Sequence, residues 1–130
     1  MTRSRIAVLS IAALSAVLVW ALPAGAQSSA SSQSQALKIT TIAVTAGKPT
    51  EFGFKLSKLK APKGIVIFKV TNAGAIPHDF KIAGKKTKTL NAGQSATLRV
   101  TILKTGKAPF LCTLPSHAVA GMKGNLLITK

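Results

Sequence analysis

An all-β sandwich or barrel is the fold class this sequence predicts, on three observations. Apolar residues recur at every second position in several short runs. Clusters of Gly, Pro and Asn separate those runs at short intervals. Beyond residue 26, no segment of ten or more residues carries a helical period. Short strands at regular spacing fit two packed sheets or a closed barrel.

The chain opens with an address rather than a fold. Arg3 and Arg5 form a basic start, and Ile6 to Leu22 is an apolar run of 17 residues broken only by Ser10 and Ser15. Pro23 and the A-x-A pattern Ala24-Gly25-Ala26 then mark a cleavage point, so residues 1–26 are expected to be a signal peptide. An uncleaved run of this length is at the short limit for a membrane span. Residues 27–36 are Ser- and Gln-rich, lack anchoring apolar side chains, and are expected to be a flexible leader.

Strands are expected from there on, in one domain over 37–130. Ile39 to Val44 is a mixed run with Thr40 and Thr41 at its middle. Phe52, Phe54 and Leu56 alternate with Gly53 and Lys55, and Ile65 to Val70 is nearly all β-branched apart from Lys69. Phe80 and Ile82 flank Lys81. Ala96, Leu98, Val100 and Ile102 alternate with Thr97, Arg99 and Thr101. Phe110 and Cys112 flank Leu111, and Leu126 to Thr129 closes the chain. Turns are expected at 47–49, 61–64, 72–74, 91–93 and Gly106.

Cleavage after residue 26 leaves 104 residues, enough for one two-layer core. The whole chain has 18 basic and 2 acidic residues, a formal charge of +16; loss of Arg3 and Arg5 lowers it to +14. Such a charge favours solubility and attracts anionic surfaces or acidic protein partners. Lys55, Lys58, Lys60 and Lys63 form one dense stretch, and Lys81, Lys85, Lys86 and Lys88 another. They suit either a solvated face or a docking field for an acidic redox partner or an anionic membrane. Export argues against nucleic acid as the partner, and so does the absence of Trp and Tyr from residues 27–130, because base stacking favours aromatics. A monomer is expected.

The chemistry concentrates between Ala108 and Gly124. Cys112, His117 and Met122 form a C-x4-H-x4-M pattern, and the other histidine, His78, lies in Ile76-Pro77-His78-Asp79-Phe80. A lone cysteine in an exported chain cannot form an internal disulfide; it is a buried thiol, an intermolecular link or a ligand. Taken singly, each residue suits a bland role: Cys112 and Met122 as core, His78 as a hydrogen-bonded loop residue. Their coincidence changes the odds, since residues 27–130 contain no other His, Cys or Met. Two imidazoles, one thiolate and one thioether suit a copper ion held in two oxidation states. Zinc competes for His and Cys but rarely takes a thioether. Pro77 and Pro115 stiffen the approaches to His78 and His117.

On these residues the chain resembles the cupredoxins, the blue copper family that includes plastocyanin, azurin and auracyanin. The resemblance covers about residues 37–130 and is most specific at His78 and at Cys112 to Met122. It implies a Greek-key β-sandwich binding one type 1 copper. The metal ligands would be His78, from an earlier strand end, and Cys112, His117 and Met122, from one loop between the last two strands. Two positions depart from the family's usual residues: Asp79 stands where Asn is common, and Ser116 where Gly is common. Asp79 is expected to pin the ligand loop by accepting hydrogen bonds from the backbone or hydroxyl of Thr113.

The function so implied is single-electron transfer, by a protein that is not an enzyme, in the periplasm or outside the cell. In the family the second histidine's edge passes the electron within an apolar patch. Here that is His117, with Leu114, Pro115, Ala118 and Val119 as rim. A copper-delivery protein using the same ligands is the alternative. Multicopper oxidase or nitrite reductase chemistry needs further histidines, and this chain has two.

Overall fold

The computed structural model describes residues 36–130. The expected signal peptide, and the leader apart from Ala36, lie outside the described residues. Nine strands and no helix make up the described part: β1 (Lys38–Ala46), β2 (Phe54–Leu56), β3 (Lys60–Pro62), β4 (Gly64–Asn72), β5 (Lys81–Ile82), β6 (Lys85–Lys86), β7 (Ser95–Ile102), β8 (Gly106–Leu111) and β9 (Lys123–Thr129). They form two sheets, ordered β2-β1-β4-β7 and β3-β9-β8-β5-β6. Strands distant in the chain lie side by side: β1 runs parallel to β4 from Lys38↔Gly64 to Ala46↔Asn72, and β3 runs parallel to β9. This crossed order is what the expected sandwich requires.

Alternation decides which side chains face inward. Ile42 and Val44 of β1, Val66, Phe68 and Val70 of β4, and Leu98, Val100 and Ile102 of β7 are buried on one sheet. Ile82, Phe110, Leu126 and Ile128 face them from the other. Phe80, which precedes β5, is fully buried between the layers. Its ring meets Phe54 edge-on at 5.2 Å and lies tilted against Phe68 at 5.2 Å and Phe110 at 5.5 Å. Each such aromatic removes a large apolar area from water, about 1.5–3 kcal/mol per side chain before packing gains.

The structure corrects three sequence expectations. The turn expected at 61–64 begins as strand β3, because Pro62 lies on a sheet edge, where a missing N–H costs nothing. Strand β6 was not expected. It arises because Ala83 (φ 46°) and Gly84 (φ 78°) both adopt left-handed backbone and close a two-residue hairpin onto β5. Lys85 and Lys86 occupy this outer edge, where charge discourages pairing with another chain. The alternation from Phe52 to Leu56 also overstates the strand. The chain turns before it, with Gly53 N–H donating to the Thr50 carbonyl at 3.1 Å, so Phe52 leaves the ladder.

Candidate metal centre

One end of the sandwich collects the four sequence-selected residues. Cys112 directly follows β8 and Met122 directly precedes β9, and the Cys112 N–H donates to the Met122 carbonyl at 3.0 Å. The ladder therefore fixes both ends of the loop. Within it, the His117 N–H donates to the Leu114 carbonyl at 3.2 Å, and the Met122 N–H to the His117 carbonyl at 3.0 Å. His78 is held from the other side by a two-way bridge to Leu90, with N···O distances of 3.0 and 2.7 Å. Asn72, at the end of β4, braces this segment: its side-chain amide donates to the carbonyls of Ile76 and Leu90, each at 2.8 Å.

The donor atoms converge. His78, Cys112 and His117 each offer a ligand atom within 4.8 Å of the others. His78 Nδ1 lies 3.2 Å from His117 Nδ1, which lies 3.5 Å from Cys112 Sγ. Met122 is fully buried and packs with Cys112 and Ala46, with Phe54 and Leu114 against them. His78 and Cys112 are fully buried, and His117 is half-buried. Phe52 stands edge-on to the His117 ring at 5.1 Å. Of the expected rim, Val119 is 89% exposed and Pro115 exposed, with Leu114 and Ala118 half-buried.

Both acidic residues of the chain belong to this end. Asp79 is buried, accepts the Thr113 N–H at 2.6 Å and also binds the Thr113 hydroxyl, as its position next to His78 led us to expect. Lys86 Nζ lies 3.5 Å from its second oxygen. Burial opposes ionisation of Asp79, but the bonds from Thr113 and the charge of Lys86 outweigh it and hold the carboxyl below its usual range. The Asp79 N–H also points at Cys112 Sγ, 3.5 Å away. Burial pushes the Cys112 thiol up, against the N–H groups of Asp79 and Leu114 that favour the thiolate. Burial, and then the neighbouring His78, lower His117, which favours its neutral form.

Sequence reasoning passed over Glu51 and Asn72. Glu51 Oε1 lies 2.9 Å from His78 Nε2. The N–H groups of Ala75 and Ile76, with His78, pull the Glu51 carboxyl down to about 2. Its rarity was the available signal, as one of 2 acidic residues among 18 basic ones. Ser116 also gains a physical account: its φ of 66° lies in the left-handed region where glycine is free of strain.

The donor set fits copper. Two imidazole nitrogens and a thiolate sulfur converge, and a thioether is buried beside them, in a pocket whose backbone bonds hold the ligands in place.

Comparisons with known proteins agree with the fold. The sequence matches the family model for the cupredoxin-like domain over residues 11–128. It is similar to auracyanin-B of Chloroflexus aurantiacus, with 39% identity over 61 residues, or 45% of this chain and 26% of that relative's length. Among solved structures, it resembles auracyanin B with a TM-score of 0.58 and 20% identity over 74% of this chain and 92% of the other. Rusticyanin from Thiobacillus ferrooxidans aligns with a TM-score of 0.61 and 18% identity, over 71% of this chain and 78% of the other. At these identities the structural likeness speaks for the fold.

Proposed function

The chain belongs to the cupredoxin-like domain family, and from that premise we propose that it is an exported one-electron carrier, not an enzyme, that holds one type 1 copper ion with His78, Cys112, His117 and Met122. The observation that carries the reading is the convergence of three donor atoms within 4.8 Å, with Met122 buried beside them. Bound there, copper would supply a Cu(I)/Cu(II) couple. The protein's part is to keep the ligands still. The Cys112–Met122 bond extends the β8–β9 ladder, and the His78–Leu90 bridge and the Asp79–Thr113 clasp tie the ligand-bearing segments to one another, so little rearrangement accompanies a change of charge. That rigidity supports a carrier over a delivery protein, which must release its metal quickly. His117 is half-buried, edge-on to Phe52 and two residues before the exposed Val119, and offers the short route out.

The test is the visible spectrum of copper-loaded, oxidised protein, followed by a redox titration. An intense thiolate-to-copper band that bleaches and returns is the expected result. A colourless copper complex overturns the assignment, and copper exchange faster than redox turnover favours delivery.

Asp79 sets a second expectation. Asp79 adjoins His78 in the chain, its backbone N–H points at Cys112 Sγ, and its carboxylate is buried against Thr113. A fixed negative charge there favours Cu(II). Asp79→Asn is expected to raise the reduction potential while the spectrum barely changes. A spectroelectrochemical titration that finds no shift removes Asp79 from the control of potential.

Docking follows from charge. We take the partner to be an acidic redox protein, met at the apolar His117 rim and attracted by the exposed lysines of the domain. Lys85 and Lys88 are exposed on and beside the outer strand β6. Reversing both to Glu is expected to slow association with an acidic partner about tenfold at low salt and to leave the potential unchanged. Lys86 is kept, because it contacts Asp79. The wild-type rate should fall steeply towards 0.1 M salt, where the screening length is about 10 Å. Stopped-flow rates that ignore both salt and these lysines rule out steering.

A further inference from the structure

We propose that Glu51 is a positioning residue for the metal centre: its carboxylate holds the Nε2–H of His78 and so keeps Nδ1 unprotonated and aimed at Cys112 and His117. The proposal rests on the copper reading only for its effect on bound metal. The lock on the imidazole is a property of the protein alone.

Three observations carry it. The first is where the chain spends its acids. It has 18 basic residues and only 2 acidic ones. Yet Glu51 faces an imidazole and two backbone N–H groups, and among the described residues no lysine or arginine forms an ion pair with it. The second is geometry. Oε1 lies 3.0 Å from the Ala75 N–H nitrogen, 3.2 Å from that of Ile76 and 2.9 Å from His78 Nε2. An ionised carboxylate only accepts, so the proton it shares with His78 sits on Nε2. His78 is fully buried, and its Nε2–H has no other partner among the described groups. The remaining nitrogen, Nδ1, is the one that faces His117.

The third observation is the space made for this contact. A β-carbon on Gly74 would run into the Glu51 carboxylate and come within 3.0 Å of His78 Nε2. Gly47 in turn packs so closely on the Gly74 backbone that it also admits no side chain. Two glycines thus let a charged side chain reach a buried ring. The next residue, Phe52, touches the other histidine. The loop between β1 and β2 therefore sets both imidazoles: His78 through a charge and His117 through an aromatic edge.

A carboxylate on the far nitrogen of a ligand histidine fixes its tautomer and makes it a stronger donor, and loss of such a partner costs about 10–100-fold in metal affinity. It also places negative charge one ring away from the metal, which favours the higher oxidation state.

The experiment uses the metal-free protein first. Long-range 1H–15N correlation of the imidazoles near pH 8 is expected to show His78 protonated at Nε2 alone. Glu51→Ala should mix the tautomers. Gly74→Ala should do the same while retaining the carboxylate, by displacing it. Glu51→Gln should keep the tautomer, because its amide oxygen still accepts. With copper added, Glu51→Ala should lose about 10–100-fold in affinity by chelator competition. Glu51→Gln should weaken Cu(II) binding relative to Cu(I) about tenfold, a rise of about 59 mV for a one-electron couple. If Glu51→Ala does not fold, Gly74→Ala and Glu51→Gln decide the question. An unchanged His78 tautomer in Gly74→Ala or Glu51→Ala overturns the lock, and an unchanged potential in Glu51→Gln overturns the charge effect. If wild-type protein takes up no copper, the carrier reading fails, and the tautomer measurement still decides the role of Glu51.

Discussion

Cys112→Ser is expected to abolish the intense visible band of the copper-loaded protein altogether. The band requires a thiolate that shares electron density with the metal, and a serine hydroxyl stays protonated and hard at neutral pH. Cys112 is fully buried, and its backbone is tied to Met122, so no other sulfur can take its place without unpairing the ladder. The serine variant should still fold, because the substitution is nearly isosteric. A preserved far-ultraviolet spectrum with no visible band is the expected pair of results; a variant that stays blue shows that the ligand set is wrong. The wild-type thiol adds a second readout. Burial raises it above the ordinary cysteine value, so near neutral pH the free protein holds this proton and metal uptake releases it. Copper affinity should therefore rise about tenfold per pH unit until the thiol titrates in the free protein. The serine variant should lose that slope.

Phe80→Ala should be the most damaging single change in the core. Phe80 is fully buried and touches three other phenylalanine rings, so truncation leaves a cavity where two sheets and the site segment meet. The expected cost is about 3–5 kcal/mol, against a total stability of about 5–15 kcal/mol for a domain of this kind. The melting temperature of the metal-free protein should fall by well over 10 °C, as measured by calorimetry. Metal-free protein is the right sample, since bound copper would add its own stabilisation. Phe80 also follows Asp79 in the chain and bonds Thr87 in both directions, its N–H to the Thr87 hydroxyl at 3.1 Å and its carbonyl from the Thr87 N–H at 3.0 Å. Its loss should loosen the His78 segment as well as the core. Phe52→Ala is the control: that ring is 36% exposed and lies outside the main core, so its removal should cost about 1 kcal/mol or less. Equal costs for the two would mean that the aromatic cluster is not the centre of the fold.

The sequence by itself determined the class of fold and singled out the candidate donors. A strand period of two can be read within six residues: β7 and β8 lie where alternation put them, and β1, β4 and β9 overlap the mixed, β-branched and closing runs read as strands. The candidate donors stood out for a different reason: residues 27–130 hold only two His, one Cys and one Met, so C-x4-H-x4-M plus one earlier histidine drew attention to them. Even the Asp79–Thr113 contact could be anticipated, because each residue adjoins a ligand. Tertiary structure alone decided the rest. Strand β3 lacks any period and exists because β9 is there to pair with it; β6 exists because Ala83 accepts a left-handed turn. Glu51 lies 27 residues from His78, within a run that read as ordinary strand and turn. Its role depends on the approach of Gly47 to Gly74 and on the loop leaving the ladder before β2. Periodicity reports which face a side chain takes, because that is local backbone geometry. Which distant group meets it on that face depends on how loops close in three dimensions, and no local pattern records that.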